Sequence, residues 1–159
     1  MRLLFTMDAG DYDQNGRAFV RHSARCITIQ NGRVAMVHSL KYDYYKFPDG
    51  GIEPDETPVQ ALIRETEEEA GLLILPTSIQ EYGCVHRVEA SDRTDADYFV
   101  QDNFYYLCRV QQAQVSQKLD DYEADEHFTL EWVEPSTTSD VNSSCIVSPR
   151  CILSNSTVA

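Results

Sequence analysis

Residues 50–72 read GGIEPDETPVQALIRETEEEAGL, and this stretch decides the fold. Glu65, Glu68 and Glu69 stand at i, i+3 and i+4, the spacing that puts side chains on one face of a helix. With Arg64 at zero and about 100° per residue, Glu68 falls near 40°, Glu65 near 100° and Glu69 near 140°. Val59, Ile63, Thr66 and Ala70 gather at roughly 200° to 260°, so one face is acidic and the opposite face packs. Glu67 points away from both and reads as solvated. Carboxylates stacked in this way repel one another, and a hard cation with a preference for oxygen ligands reverses that repulsion. The helix ends are marked. Thr57 suits the N-cap, Pro58 the first helical position and Gln60 the third, completing a capping box. Gly71 suits the left-handed position that stops the helix, with Leu72 just beyond.

The stretch resembles the Nudix box. That pattern runs Gly, five residues, Glu, seven residues, Arg-Glu, an aliphatic, any residue, Glu-Glu, any residue, Gly, an aliphatic. Gly50, Glu56, Arg64, Glu65, Glu68, Glu69, Gly71 and Leu72 match it, and Thr66 departs from it as a β-branched residue in an aliphatic slot. Seven fixed residues at fixed spacing arise by chance at about 10⁻⁹ per start position at ordinary composition. The resemblance implies an α+β domain, a Nudix-type α/β/α sandwich with a mixed sheet. It implies metal-dependent hydrolysis of a nucleoside diphosphate linked to another group. A MutT-like enzyme converting a nucleoside triphosphate to a monophosphate and pyrophosphate fits the small size. The competing reading is a non-catalytic nucleotide-binding sensor module of the same fold.

The resemblance further implies Glu65, Glu68 and Glu69 as metal ligands, with the Gly50 carbonyl completing the shell around Mg²⁺, or Mn²⁺ in its place. Arg64 is expected to orient these carboxylates through its fork of donors, with Glu56 as its loop-side partner. Glu53 is either a ligand or a solvated loop acid. The general base stays open among Glu69, Glu123 and Glu126. Tyr42, Tyr44, Tyr45 and Phe47 are candidates to stack on a base, with core or hairpin packing as the other role. Arg25, Lys41 and Lys46 are candidates for phosphate contacts. The four histidines show no triad or zinc spacing and receive no role.

Outside the box, 159 residues with 42% hydrophobic and 25% charged content suit one domain with one core. A net charge of −13 argues against a nucleic-acid polymer or an anionic membrane as partner, though not against a small nucleotide bridged by cations. Cys26, Cys84, Cys108, Cys145 and Cys151 have no C-x-x-C spacing and read as free thiols, the first three as small core residues. The opening MRLLFTMDAGDYD lacks a secretory apolar core, and no apolar run reaches membrane length, so a cytoplasmic protein is expected. Strands are expected over 3–6, 24–29, 33–38, 79–88, 99–110 and 128–133. Asn31-Gly32 between the second and third is a type I′ hairpin signal. Residues 91–97 read as an exposed loop and 111–126 as a polar connection. The domain is expected to span 1–135. Residues 136–159 hold ten Ser or Thr and no 3.6-residue apolar period. They are expected to form a polar tail, and the second helix that the resemblance implies near the C-terminus is doubtful. The tail or a homodimer partner would then cover that side of the sheet.

Overall fold

The computed structural model describes residues 1–135. The expected tail and the doubtful C-terminal helix lie outside the described residues. Seven strands precede the helix of the box: β1 Leu3–Asp8, β2 Ala18–Val20, β3 Ser23–Ile27, β4 Ile29–Gln30, β5 Arg33–Ser39, β6 Tyr44–Lys46 and β7 Asp49–Gly51. Helix α1 Pro58–Ala70 leads into β8 Leu72–Ile74, β9 Gln80–Ala90, β10 Tyr98–Leu107 and β11 Val110–Gln114. A short helix α2 Asp121–Asp125 and strand β12 Phe128–Val133 complete the domain.

The main sheet is mixed, as expected. Its order is β1-β9-β10-β3-β7, with β2 also pairing β10. β9 and β10 are antiparallel, whereas β1 runs parallel to β9 and β3 parallel to β10. A second sheet orders β12-β5-β4 with β6 on β5, and β8 pairs β11. Asn31 and Gly32 both take positive φ, 52° and 76°, which is what a type I′ turn requires between β4 and β5. The strand expected over 24–29 is two strands. The chain leaves the main sheet at Thr28 and enters the second, and the Thr28 carbonyl accepts from Ala35 N at 3.1 Å. Residues 49–51 and 110–126 held more order than local propensity indicated. Asp49–Gly51 is drawn into a strand by antiparallel pairing with β3, and β11 by pairing with β8.

Helix α1 has the expected caps. Thr57 Oγ1 accepts from Gln60 N at 3.3 Å, and Gln60 Oε1 accepts from Thr57 N at 2.9 Å. Its buried residues are Ala61, Leu62, Thr66, Glu69 and Ala70. Val59, expected to pack, is 38% exposed. The buried arc is rotated toward Glu69 because the helix lies against β3 and β7 on one side and β8 and β12 on the other, not against one flat sheet. Leu62 is fully buried there with Ala24, Val37, Tyr44, Leu72 and Phe128, forming the main core. Cys26, Cys84 and Cys108 are free and buried, as expected of small core residues. Among the described residues no helix is long and apolar enough to cross a membrane.

Gly71 ends α1 with φ 65° and ψ 19°, and its N–H bonds the Glu67 carbonyl at 2.9 Å. A Cβ at Gly71 would overlap the Val115 carbonyl oxygen, so backbone strain and a steric clash coincide there. Gly71→Ala is expected to cost about 2–4 kcal/mol. Thermal denaturation checks this as a Tm lowered by roughly 5–15 °C, and a shift under about 2 °C would refute the account.

Candidate active site

Arg64 and Glu65 are adjacent on α1, and Glu68 lies one turn further on. The Arg64 guanidinium ties this face to the preceding loop. Its Nε and Nη2 donate to the two oxygens of Glu56, both at 2.8 Å. Its Nη1 donates to Glu65 at 2.7 Å and Glu68 at 3.2 Å, and Nη2 also reaches the Gly51 carbonyl at 3.2 Å. Glu56 is thus the loop-side partner expected from the spacing. The hydrogen bonds from Arg64 hold the Glu56 carboxyl below its ordinary range. Glu65 moves the other way. Burial raises its carboxyl, with Glu68 and Glu123 adding repulsion that Arg64 only partly offsets.

Gly50 sits under Glu65. A Cβ there would overlap the Glu65 carboxyl, so this glycine provides the space the carboxylate occupies. Two adjoining clefts open beside this contact. Glu65, Glu68, Glu53, Asp120 and Glu123 line the first; Glu65, Asp120 and Glu123 recur in the second, which Gly50 also lines. Glu123 is only 5% exposed, where a surface acid would be solvated. Its Oε2 accepts from Asp120 N at 2.9 Å, and its Oε1 accepts from the Tyr122 hydroxyl at 2.9 Å. The capping box of α2 therefore aims it at the cleft.

Glu69 is placed apart from these groups. It is 1% exposed and lines neither cleft. Its carboxylate meets the Lys46 ammonium and accepts from Asp49 N at 2.8 Å. Lys46 also pairs with Asp49 at 3.1 Å, and Asp49 with Arg25 at 3.0 Å. The result is a buried row of alternating charges, Arg25, Asp49, Lys46 and Glu69. Burial pushes the Glu69 carboxyl up, against the attraction of Lys46.

Other expected contacts separate. Glu126 accepts from the Tyr44 hydroxyl at 2.6 Å and from Ser39 Oγ at 3.1 Å, and lines neither cleft. Tyr44 and Tyr45 are core residues, and Phe47 packs edge-on against Tyr105, so these rings took the packing role. Tyr42 is exposed beneath Lys41, away from the clefts. Arg25 and Lys46 line the second cleft, but already paired with acids. The sequence reading did not single out Phe19, Arg21, Phe99 or Asp120. Alternation along β10 marks Phe99 and Gln101 as sharing a face, but β2 is three residues long, and its parallel pairing with β10 leaves no local signature.

Among the described residues no three His, Cys, Asp or Glu side chains converge closely enough to hold a cation. The donor set nevertheless fits a hard divalent ion. Glu65, Glu68 and Glu123 line one cleft, their donors are all oxygen, and the Glu65 carboxyl, lifted chiefly by burial and further by its acidic neighbours, would gain from a cation beside it.

The NUDIX domain family model matches residues 20–143. An RNA pyrophosphohydrolase of Stenotrophomonas maltophilia is 30% identical over 113 residues, 66% of this chain and 54% of that protein. One of Pseudomonas putida is 48% identical over 46 residues, 29% of this chain and 29% of that protein. The chain thus spans about half the length, or less, of these relatives. A NUDIX hydrolase structure from Nitrosomonas europaea aligns with a TM-score of 0.59 at 18% identity, over 84% of this chain and 86% of that one. A MutT NUDIX hydrolase from Burkholderia pseudomallei aligns with a TM-score of 0.52 at 17% identity, over 73% and 84%. At such identities the two structures speak to the fold alone. The family model covers well over half of the sequence and includes the helix, caps and Arg64 clamp described above, so the chain belongs to the NUDIX family.

Proposed function

We propose that this chain is a metal-dependent pyrophosphohydrolase that cleaves the anhydride of a nucleoside diphosphate linked to another group. The observation that carries the reading is the Arg64 clamp, which fixes Glu56, Glu65 and Glu68 beside a cleft that Glu123 closes from the other side. A domain that only bound nucleotides would gain nothing from holding like charges so close. The names of the matched relatives support the same bond class.

In this reading Glu65 and Glu68, with the Gly50 carbonyl, would hold Mg²⁺, or Mn²⁺ in its place, and Glu69 would join them by exchanging its Lys46 partner for the ion. When bound, the ion would supply charge neutralisation on the diphosphate and acidify a water. Arg64 keeps the carboxylates in register. Glu123 takes the proton of the attacking water. As the new phosphorus–oxygen bond forms, the anhydride bond breaks and the leaving phosphate departs with its electron pair. Glu123 is preferred over Glu69 as base because it faces the cleft, whereas Glu69 is occupied by Lys46. The relatives' names favour one further substrate. An RNA carries anhydride bonds only in a 5′-terminal di- or triphosphate, so a 5′ end is the part of an RNA this site would use.

Phosphate release from a nucleotide panel and from a 5′-triphosphorylated oligoribonucleotide, each with Mg²⁺, tests the reading and separates the two substrates. Glu68→Gln is expected to lower kcat by at least about 10²-fold while the fold holds, since repulsion on that face falls. Full turnover by this variant would sink the site assignment.

Glu123→Gln is expected to lower kcat by about 10²- to 10⁴-fold with metal affinity near wild type. Glu69→Gln is expected to weaken metal binding. It should also lower stability, because Lys46 loses one of its two buried acid partners and keeps only Asp49. Metal titration and urea unfolding of the two variants side by side check this. Wild-type kinetics for Glu123→Gln would remove that residue from the mechanism.

The Glu56 carboxyl is lowered in the folded state by Arg64, so its contribution is present above the ordinary carboxyl pKa and is lost as pH falls through the lowered folded value. Glu56→Gln should therefore destabilise at pH 7 by about 1.5–3 kcal/mol, the range for a hydrogen bond to a charged group. The loss should shrink as the medium is acidified below the carboxylate range. Urea unfolding across pH reads this, and an equal loss at every pH would contradict it.

A further inference from the structure

Every lysine and arginine lining the two clefts has an acid partner except one. Arg25 and Lys46 pair with Asp49, Arg64 with Glu56, Arg87 with Glu89, Arg93 with Asp95, and Lys118 lies 3.8 Å from Glu67. Arg21 lines both clefts and makes no ion pair or side-chain hydrogen bond among the described residues. Its guanidinium lies over Gly51, where a Cβ would overlap it, and the carbonyl of that same glycine accepts from Arg64. A cation with no direct acid partner, feeling Asp49 only at longer range, is thus seated beside the carboxylate cluster.

Arg21 leaves the end of β2, its N–H donating to the Val100 carbonyl at 3.1 Å. Two residues earlier, and so on the same side of an extended chain, stands Phe19. The β2–β10 register sets Phe19 opposite Phe99. The two rings stack with centroids 5.8 Å apart and planes at 24°, and both are half-buried in the wall of the second cleft. The half-exposed Arg93 guanidinium covers a face of Phe19, 4.3 Å from the centroid, and a base stacking there would take its place. The cleft has a volume of about 540 Å³, within the range of small-molecule sites.

We propose that Phe19 and Phe99 form the platform on which the substrate's base stacks, and that Arg21 binds its phosphate oxygens and leads them to the carboxylate cluster. This rests on the reading of the chain as a nucleotide hydrolase and narrows it. The substrate class is a nucleotide with an unstacked base next to its anhydride, whether free or at the end of an RNA, and not a base-less polyphosphate. Stacking on an aromatic face accepts every base, so the site is tolerant of base identity.

The test is calorimetric binding of hydrolysis-resistant α,β-methylene nucleoside triphosphates, adenine and uracil forms, with Mg²⁺ present, and of base-less methylenediphosphonate as control. No turnover is needed, so loss of hydrolytic activity would overturn the proposed function without touching this result. The wild type is expected to bind both nucleotides with affinities within about tenfold of each other and methylenediphosphonate roughly 5- to 100-fold more weakly. Phe19→Ala should abolish that difference, and Phe19→Trp, which keeps a face, should restore it. Arg21→Gln should weaken all three ligands together. Circular dichroism confirms that each variant is folded, and Phe19→Trp stands in if Phe19→Ala is not. Equal binding of nucleotide and methylenediphosphonate by the wild type, or an unchanged preference in folded Phe19→Ala, would overturn the platform. Unchanged binding by Arg21→Gln would overturn the role of Arg21.

Discussion

Arg64 is the constraint on which the site depends. Its one guanidinium meets three carboxylates and a backbone carbonyl, drawn from the loop before α1, from β7 and from α1 itself. Three carboxylates close together favour separation, and partial burial strengthens the repulsion. A planar fork of donors can satisfy them jointly where an ammonium, a point charge, cannot. Without it the acid face of α1 would open toward solvent, and the loop carrying Glu53 and Glu56 would lose its tie to the helix. The glycines follow from this. Gly50 gives its Cβ space to Glu65 and Gly51 gives its own to Arg21, so the strand can approach a face crowded with charge.

Behind this surface runs the second electrostatic element, the row from Arg25 through Asp49 and Lys46 to Glu69. It joins β3, β7, β6 and α1. Burying four charges costs desolvation that their mutual attraction only roughly offsets, so such a row is poor evidence of stability gained. Its consequence is geometric. Through Glu69, which meets Lys46 and the Asp49 N–H, it ties α1 to β6 and β7 on the side of the helix that is buried. The helix consequently buries Glu69 within an arc that its apolar pattern alone would have centred on Ile63 and Ala70.

The parts legible in the sequence were those set by short-range chemistry. The caps Thr57 and Gly71, the Asn31-Gly32 turn and the Glu56–Arg64 pair each follow from residues a few positions apart. What could not be read depended on distant pairing. Asp49–Gly51 has turn composition and became a strand because β3 offered an unpaired edge. Glu69 matched the ligand pattern as fully as Glu68, and its burial against Lys46 and Asp49, both distant in sequence, is what sets it apart. The tyrosines of 42–45 looked available for stacking, whereas the rings lining the second cleft are Tyr122 of α2 and Phe19 and Phe99 of β2 and β10, two strands that meet in parallel from distant parts of the chain.

The net charge of −13 and an anionic substrate are reconciled by distance. Exposed charges more than about 8 Å apart are largely screened at physiological salt, so the acids on the outer surface weigh little on a group inside the cleft. There the local balance governs. Most cleft cations are neutralised by built-in partners, and the acids of the first cleft exceed its cations, which is the condition for drawing in a divalent ion ahead of, or along with, a phosphate. Arg21 then contributes an attraction that no direct ion pair among the described residues cancels. The same reasoning limits what a polymer could gain. Only the terminal phosphates would enter this balance, while the rest of a long chain would meet a protein of net charge −13.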